Sequence, residues 1–118
     1  MNLSAGDLYF IGERDLLTGL ETTYFKIGRV KESRDGDAES RLGEHQTGNP
    51  RALSLLKVVK APAISDLEAM VHNQFATARV RGEWFELTAD QLDAAIKVAE
   101  QRAQEQFDHV AEIGRAHV

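Results

Sequence analysis

The chain has 118 residues, no cysteine and a formal net charge of −5 at neutral pH. This length suits one compact domain with its own core, and the lack of cysteine excludes disulfides, thiolate catalysis and cysteine-bound zinc. There is no charged-then-apolar leader and no apolar run of about 18 residues. We therefore expect a cytoplasmic protein that does not associate with a membrane.

The charge is unevenly distributed along the chain. The first 60 residues carry nine Lys and Arg against nine Asp and Glu, whereas the rest carry five against ten. Local charge governs phosphate contact more than net charge does. A solvated loop is the alternative interpretation of the basic stretch from Lys26 to Arg34. Four basic side chains are predicted to bind nucleic acid: Arg29, Lys31, Arg34 and Arg51.

Three segments are predicted to be β-strands because they are rich in aromatic, β-branched and leucine residues: 7–12, 23–29 and 53–60. The charges and Gly19 between the first two segments predict a hairpin loop. Alternation along the first strand places Tyr9 and Ile11 on one face of the sheet and their neighbours on the other.

Three helices are predicted from caps and apolar spacing. The first runs from Asp37 to about Thr47. The second begins at a capping box, Ser65–Glu68, which an apolar stripe follows. The third begins at a second capping box, Thr88–Gln91, and runs to about Ile113 with an alanine-rich stripe.

These elements predict an α/β fold, in which a small three-stranded antiparallel sheet is flanked by helices and followed by a long C-terminal helix. Residues 84–87 are expected to form a short strand or an extended segment. The C-terminal helix, residues 88–118, packs on the domain or pairs with a second copy of the chain as a homodimer, because one apolar stripe suffices for one partner surface.

Tyr9 and Lys26 are polar side chains within apolar strands. A lysine between Phe25 and Ile27 is disfavoured unless its amine reaches water or an anion. If the first two strands pair, Lys26 lies near Tyr9 and could stabilise its phenolate, which an unaided phenol does not form at neutral pH. A half-buried structural tyrosine is the alternative for Tyr9.

Arg41 and His45 are four residues apart, so they project from one side of the first predicted helix. The planar guanidinium of Arg41 suits phosphate oxygens and could stabilise a pentacoordinate transition state. The alternatives are a surface ion pair between Arg41 and Asp37 or Glu44, and a solvated His45 near the helix end.

Glu68 has two interpretations. The predicted capping box accounts for its carboxylate completely. However, Glu68 also borders the apolar stripe, where its oxygens would suit Mg²⁺. His72 lies one turn along, but a zinc site with His45 is disfavoured, because the familiar zinc helix needs two histidines with a base between them. Glu83 could pair with one of the arginines before it.

Five short motifs follow one another in the chain: Leu8-Tyr9-Phe10-Ile11-Gly12, Phe25-Lys26-Ile27-Gly28-Arg29, Arg41-Leu42 with Gln46-Thr47-Gly48-Asn49-Pro50, Leu67-Glu68 with His72 and Phe75, and Arg81-Gly82-Glu83-Trp84-Phe85. In this order they resemble the GIY-YIG nuclease superfamily, specifically the branch found in phage open reading frames and meiotically up-regulated gene products. The resemblance implies a nuclease domain over residues 1–87. Asp7 departs from it by replacing the glycine that opens the first motif, and Lys26 replaces the tyrosine of the second.

The resemblance also implies roles for individual residues. Tyr9 would assist deprotonation of the attacking water, and His45 would help to transfer the proton. Arg41 would hold the scissile phosphate, and Glu68 would bind one Mg²⁺ or Mn²⁺ ion. Lys26 would supply electrostatic stabilisation in place of the family tyrosine.

Three functions remain open from the sequence. The first is a metal-dependent endonuclease that hydrolyses DNA phosphodiester bonds, with a partner supplying specificity that so small a domain lacks. The second is a nucleic-acid- or protein-binding module on the same fold that has lost turnover, which the acidic total charge and the altered first motif favour. The third is a structural or oligomerising protein that uses the last helix.

Overall fold

A computed structural model describes residues 3–31, 42–43, 45–47 and 51–116. Its elements, in chain order, are β1 (Gly6–Arg14), β2 (Glu21–Lys31), β3 (Ala52–Ala61), α1 (Ile64–Gln74), a 3₁₀ turn (Ala76–Ala78), β4 (Arg79–Arg81), β5 (Trp84–Glu86) and α2 (Ala89–Ala116). Leu42, Gly43, His45 and Gln46 are helical. The other residues of the helix predicted between Asp37 and Thr47 lie outside the described residues, apart from Thr47 in a turn.

Within the described residues, the strands form one antiparallel sheet in the order β3-β1-β2-β5-β4. The α/β class and the first three predicted strands are confirmed. The prediction of a three-stranded sheet was wrong, because β4 and β5 add two strands at the β2 edge. Gly82 has a φ of 56°, a left-handed conformation that lets the chain fold back between them. The short strand or extended segment predicted at residues 84–87 is β5, whereas β4, with three residues, carries too little periodicity to be recognised in a sequence.

Two apolar clusters lie on opposite faces of the sheet, because successive strand side chains alternate. One cluster joins β-strand side chains such as Leu8, Phe10 and Ile27 to α1 and α2. The other contains Tyr9 and Ile11, as predicted from alternation, and Leu42 packs against it while His45 contacts Tyr9. The second face therefore presents Tyr9 toward His45.

The start of α1 differs from the prediction. The helix begins at Ile64 and no side chain caps it, so the predicted capping box Ser65–Glu68 was wrong. The preceding residue, Ala63, is held instead by Gln106 of α2. Ala63 N donates to Gln106 Oε1 and Gln106 Nε2 donates to Ala63 O, both at 3.1 Å. Because a tertiary contact fixes this helix start, the Glu68 side chain is not used as a cap.

The capping box at the start of α2 is confirmed. Gln91 N donates to Thr88 Oγ1 at 3.1 Å, and Thr88 N donates to Gln91 Oε1 at 2.9 Å. These reciprocal bonds satisfy backbone donors that a helix start leaves free.

Alanines form the buried stripe of α2: Ala95, Ala99 and Ala103. Phe107, which the spacing also predicts on this stripe, is 45 % exposed. Gln106 is buried in its place because its amide bonds to Ala63. No helix within the described residues has both the length and the apolar character needed to cross a bilayer.

Candidate functional site

Tyr9 lies in the middle of β1, and only 2 % of it is exposed. The residue paired with it on β2 is Gly28. A Cβ atom on Gly28 would lie 2.4 Å from Tyr9 Oη and 2.6 Å from Tyr9 Cζ. The phenol therefore lies over Gly28, and only a glycine leaves room for it there.

His45 lies in the helical segment that covers this face of the sheet. Its Nε2 atom is 3.2 Å from Tyr9 Oη, and the two ring centroids are 6.1 Å apart. Gln46 anchors the segment to β3, since its Nε2 donates to Arg51 O at 2.9 Å and its Oε1 accepts from Leu53 N at 2.8 Å. A proton can pass directly between the phenol and the imidazole at this distance.

Lys26 lies on the same face of the sheet as Tyr9. It pairs with Ile11, two residues along the ladder from the Tyr9–Gly28 pair. Its side chain is 15 % exposed, and its Nζ is 3.7 Å from Glu83 Oε2. The ammonium group also lies 6.0 Å from the ring centroid of Trp84. A carboxylate and an aromatic ring thus keep this positive charge at the site.

Glu68 approaches from the opposite face, on α1. Its side chain is 13 % exposed, and its Oε1 is 3.6 Å from an Arg29 guanidinium nitrogen. The other oxygen, Oε2, is buried and has no hydrogen-bond donor in the part of the chain that the structure describes. Burial, and then the negative charge of Glu83, raise the pKa of Glu68 to about 7 against the opposing charge of Arg29.

Glu83 joins this group of side chains from the turn before β5. Its backbone O accepts a 3.0 Å hydrogen bond from Ile27 N. Its Oε2 would lie 2.7 Å from a Cβ on Gly28, so Glu83 and the Tyr9 hydroxyl border the same space. Among the described residues, Glu83 forms an ion pair with Lys26 and not with Arg79 or Arg81, which precede it in the sequence.

Within the described residues, the candidate site lies at an edge of β2 that no strand covers. β5 pairs only with Tyr24, Phe25 and Lys26 of β2, so β5 does not cover the outer edge of β2 from Gly28 onward. Tyr9 Oη and Glu83 Oε2 lie over Gly28 on one face of the sheet, and Glu68 lies beside Arg29 on the face that α1 covers. These side chains are therefore held at neighbouring residues of β2 by separate elements.

His72 has a structural role beside the site. Its Nε2 lies 2.8 Å from Ile27 O, and its ring centroid is 5.0 Å from that of Phe85. Burial lowers the pKa of His72, so the neutral ring donates Nε2–H to the Ile27 carbonyl. Because Nε2 donates to the backbone, this nitrogen is not available as a zinc ligand.

The basic residues predicted to contact nucleic acid have different environments. Arg29 is paired with Glu68 and is partly exposed. Arg51 lies 3.3 Å from Glu13 Oε1, and Lys31 ends β2. Arg34 lies outside the described residues, as does Arg41, the residue expected to hold the scissile phosphate.

The described residues suit a hydrated cation with carboxylate oxygen ligands better than a cation with histidine nitrogen ligands. Among them, no group of three His, Asp or Glu side chains could hold a metal ion. Mg²⁺ needs only one or two carboxylates, because it keeps several of its waters. Oε2 of Glu68 is a buried acceptor without a donor in this part of the chain, which a cation of this kind would satisfy.

Sequence reasoning did not identify the roles of Gly28 and Glu83. A glycine inside a strand often marks a close approach of other atoms to the backbone, and this signal was present at Gly28. Glu83 follows Gly82 directly, and a carboxylate after a turn-forming glycine can be aimed at a neighbouring strand. Glu83 faces β2 because β5 pairs with β2. That pairing is a long-range contact, which the local sequence does not reveal.

A family model described as the T5orf172 domain matches residues 8–100. No curated protein and no solved structure matches the chain. The family match spans β1 to the first half of α2, including Tyr9, Lys26, His45, Glu68 and Glu83. The chain therefore belongs to the T5orf172 domain family.

Proposed function

We propose that this protein is a divalent-cation-dependent endonuclease of the GIY-YIG superfamily, which hydrolyses DNA phosphodiester bonds inside the cell. Membership of the T5orf172 domain family supports a nuclease or nucleic-acid-binding role. The observation that carries the proposal is the position of two groups at neighbouring residues of β2. A phenol that is hydrogen-bonded to a histidine lies over Gly28, and a carboxylate with an unsatisfied oxygen pairs with Arg29.

Tyr9 is the proposed general base. His45 Nε2 lies 3.2 Å from its hydroxyl and accepts the phenolic proton, while the positive charge of Lys26 on the same face stabilises the phenolate. The phenolate then takes a proton from the attacking water. The water oxygen bonds to phosphorus as the bond to the leaving oxygen breaks, and the leaving oxygen acquires a proton from solvent.

Glu68 is the proposed cation ligand. When bound, Mg²⁺ or Mn²⁺ polarises a phosphoryl oxygen and stabilises charge on the leaving oxygen. Arg29, 3.6 Å from Glu68 and partly exposed, adds a positive charge beside the same phosphate. Arg41 is proposed to hold the scissile phosphate through its planar guanidinium.

The proposed DNA path continues from the open edge to the basic residues around it. Arg29 and Lys31 lie at the end of β2 that does not pair with β5, and Arg34 follows in the sequence. Arg51 lies beside the helical segment that carries His45, since Gln46 binds its backbone. Contacts of this kind neutralise phosphates without reading sequence, so target choice falls to other residues or to a partner.

Nicking of supercoiled plasmid in Mg²⁺ or Mn²⁺ tests the proposal. We expect Tyr9→Phe, which keeps the ring and removes the hydroxyl, to slow nicking by about 100-fold or more. Glu68→Gln is expected to have an effect of about the same size, because it removes the charge that holds the cation.

Glu86→Gln is the matched control. It makes the same chemical change in an exposed carboxylate at the end of β5, away from the site, and should leave the rate unchanged. If all four proteins nick at one rate, the assignment of the site is wrong.

A second candidate is a nucleic-acid-binding module that does not turn over. The Lys26–Glu83 ion pair favours it, because a lysine tied to a carboxylate replaces the tyrosine of the superfamily's second motif. Salt-dependent DNA binding without nicking in either Mg²⁺ or Mn²⁺ would select this function.

A further inference from the structure

Glu68 and Glu83 are held by elements that are anchored to one residue of β2. His72, one turn after Glu68 on α1, donates from Nε2 to Ile27 O at 2.8 Å. Glu83 O accepts from Ile27 N at 3.0 Å. Both backbone groups of Ile27 are therefore used to fix the segments that carry the two carboxylates.

Each carboxylate has a cationic side chain nearby, but neither cation donates a hydrogen bond to the buried Oε2 atom of Glu68. Arg29 lies 3.6 Å from Glu68 Oε1, and Lys26 lies 3.7 Å from Glu83 Oε2. These distances exceed those of hydrogen bonds, so the cations offset charge without donating to the oxygens. Glu68 Oε2 still lacks a donor among the described residues.

Two carboxylates in this arrangement repel one another when both are ionised. Both are held beside β2, since Glu83 Oε2 lies over Gly28 and Glu68 Oε1 lies 3.6 Å from an Arg29 nitrogen. A divalent cation between the two groups would replace repulsion with attraction and would satisfy the buried oxygen. Mg²⁺ accepts up to two protein carboxylates together with its waters.

We propose that Glu83 is the second carboxylate ligand of the divalent cation that Glu68 binds. The inference rests on the proposed function, whose cation it places between α1 and the turn before β5. Lys26 then has a second task besides stabilising the phenolate, since it holds the Glu83 carboxylate over Gly28. The Tyr9 hydroxyl borders this same space, so base and cation act on one phosphate.

The affinity for Mn²⁺ in the absence of DNA tests the inference, with free Mn²⁺ measured by electron paramagnetic resonance. We expect Glu83→Gln and Glu68→Gln each to weaken Mn²⁺ binding by at least about tenfold. Glu86→Gln should bind Mn²⁺ as the wild type does. Circular dichroism of each variant checks that it is folded, so that lost affinity is not mistaken for lost structure.

A double variant separates ligation from an indirect effect of Lys26. Glu83→Gln releases Lys26, which could then pair with Glu68 and exclude the cation. If Glu83 is a ligand, Mn²⁺ affinity stays low when Lys26→Met is combined with Glu83→Gln. Full recovery of affinity in the double variant would overturn the inference, as would wild-type affinity in Glu83→Gln alone.

The two proposals fail in different ways. Wild-type Mn²⁺ affinity in Glu83→Gln, with affinity lost in Glu68→Gln, overturns the role of Glu83 and leaves the proposed function in place. Unchanged affinity in Glu68→Gln contradicts the proposed function itself.

Discussion

At Gly28, the Tyr9 phenol and the Glu83 carboxylate both enter space that any other residue would fill with its own side chain. The Tyr9 ring is almost fully buried, so it cannot swing into solvent to avoid a new methyl group. Glycine in a strand interior normally weakens the strand. Here it permits two functional groups to approach the backbone from different elements.

Gly28→Ala is therefore expected to lower the free energy of unfolding by about 1–3 kcal/mol through overpacking and to abolish nicking. Gly12→Ala is the control, because its Cβ would first meet the exposed Leu56 side chain at 3.1 Å, which can move. Urea denaturation and plasmid nicking measure the two effects. A Gly28→Ala protein with wild-type stability and rate would refute this account of the glycine.

The raised pKa of Glu68 makes stability depend on pH. Between pH 4.5 and about 7, the folded protein holds a proton on Glu68 that the unfolded chain releases. The contribution of this group to the free energy of unfolding therefore falls as pH rises through that window and is constant above it.

Glu68→Gln removes this titration, so its stability relative to the wild type should rise from pH 4.5 to about 7 and then level off. The measurement is urea denaturation of both proteins in EDTA across this range. Comparing the two proteins cancels the titration of His72 and of other groups. A stability difference that does not change with pH would show that the Glu68 carboxyl is not held in a destabilising environment.

At the level of elements, local signals predicted some boundaries and failed at others. β1, β2 and β3 are long enough for their composition to identify them, and Thr88 with Gln91 forms the cap that its spacing indicates. The start of α1 could not be predicted in this way. A residue 43 positions away, Gln106, satisfies both backbone groups of Ala63, so the local capping box at Ser65 is not needed.

Gln106→Ala tests this anchoring of α2 to the start of α1. It leaves a buried N–H group and a buried carbonyl of Ala63 without these partners, so we expect a loss of about 1–3 kcal/mol of unfolding free energy. Gln104→Ala is the matched control, since Gln104 is exposed and bonds only along α2 to Asp108 at 3.0 Å in the described structure. Equal denaturation midpoints for the two variants would contradict the role of Gln106.

For the whole molecule, the fold places helices α1 and α2 on one face and the His45 segment on the other. The candidate site lies where β5 ends its pairing with β2, with Tyr9 on one face and Glu68 on the other. The molecule is acidic overall, yet Lys26 and Arg29 lie at this edge beside the carboxylates. A phosphodiester is accordingly expected to approach this edge rather than the exposed face of α2.

The sequence predicted the α/β class and the face on which Tyr9 lies, because both depend on local periodicity. It could not show that Glu68 and Glu83 are both held beside β2. Their positions depend on the Ile27 backbone, which bonds to Glu83 O and to His72, and such long-range contacts leave no local pattern. The family resemblance implies that Glu68 is a cation ligand, but it implies no role for Glu83.

Anomalous diffraction from crystals soaked in Mn²⁺ tests the central claim most directly, because it locates the ion without relying on activity. We predict one strong peak, from an Mn²⁺ ion bonded to a Glu68 oxygen beside β2, with the Tyr9 hydroxyl facing the same space. A peak only at other surface carboxylates, or a Glu68 side chain turned away from this edge, would contradict the account.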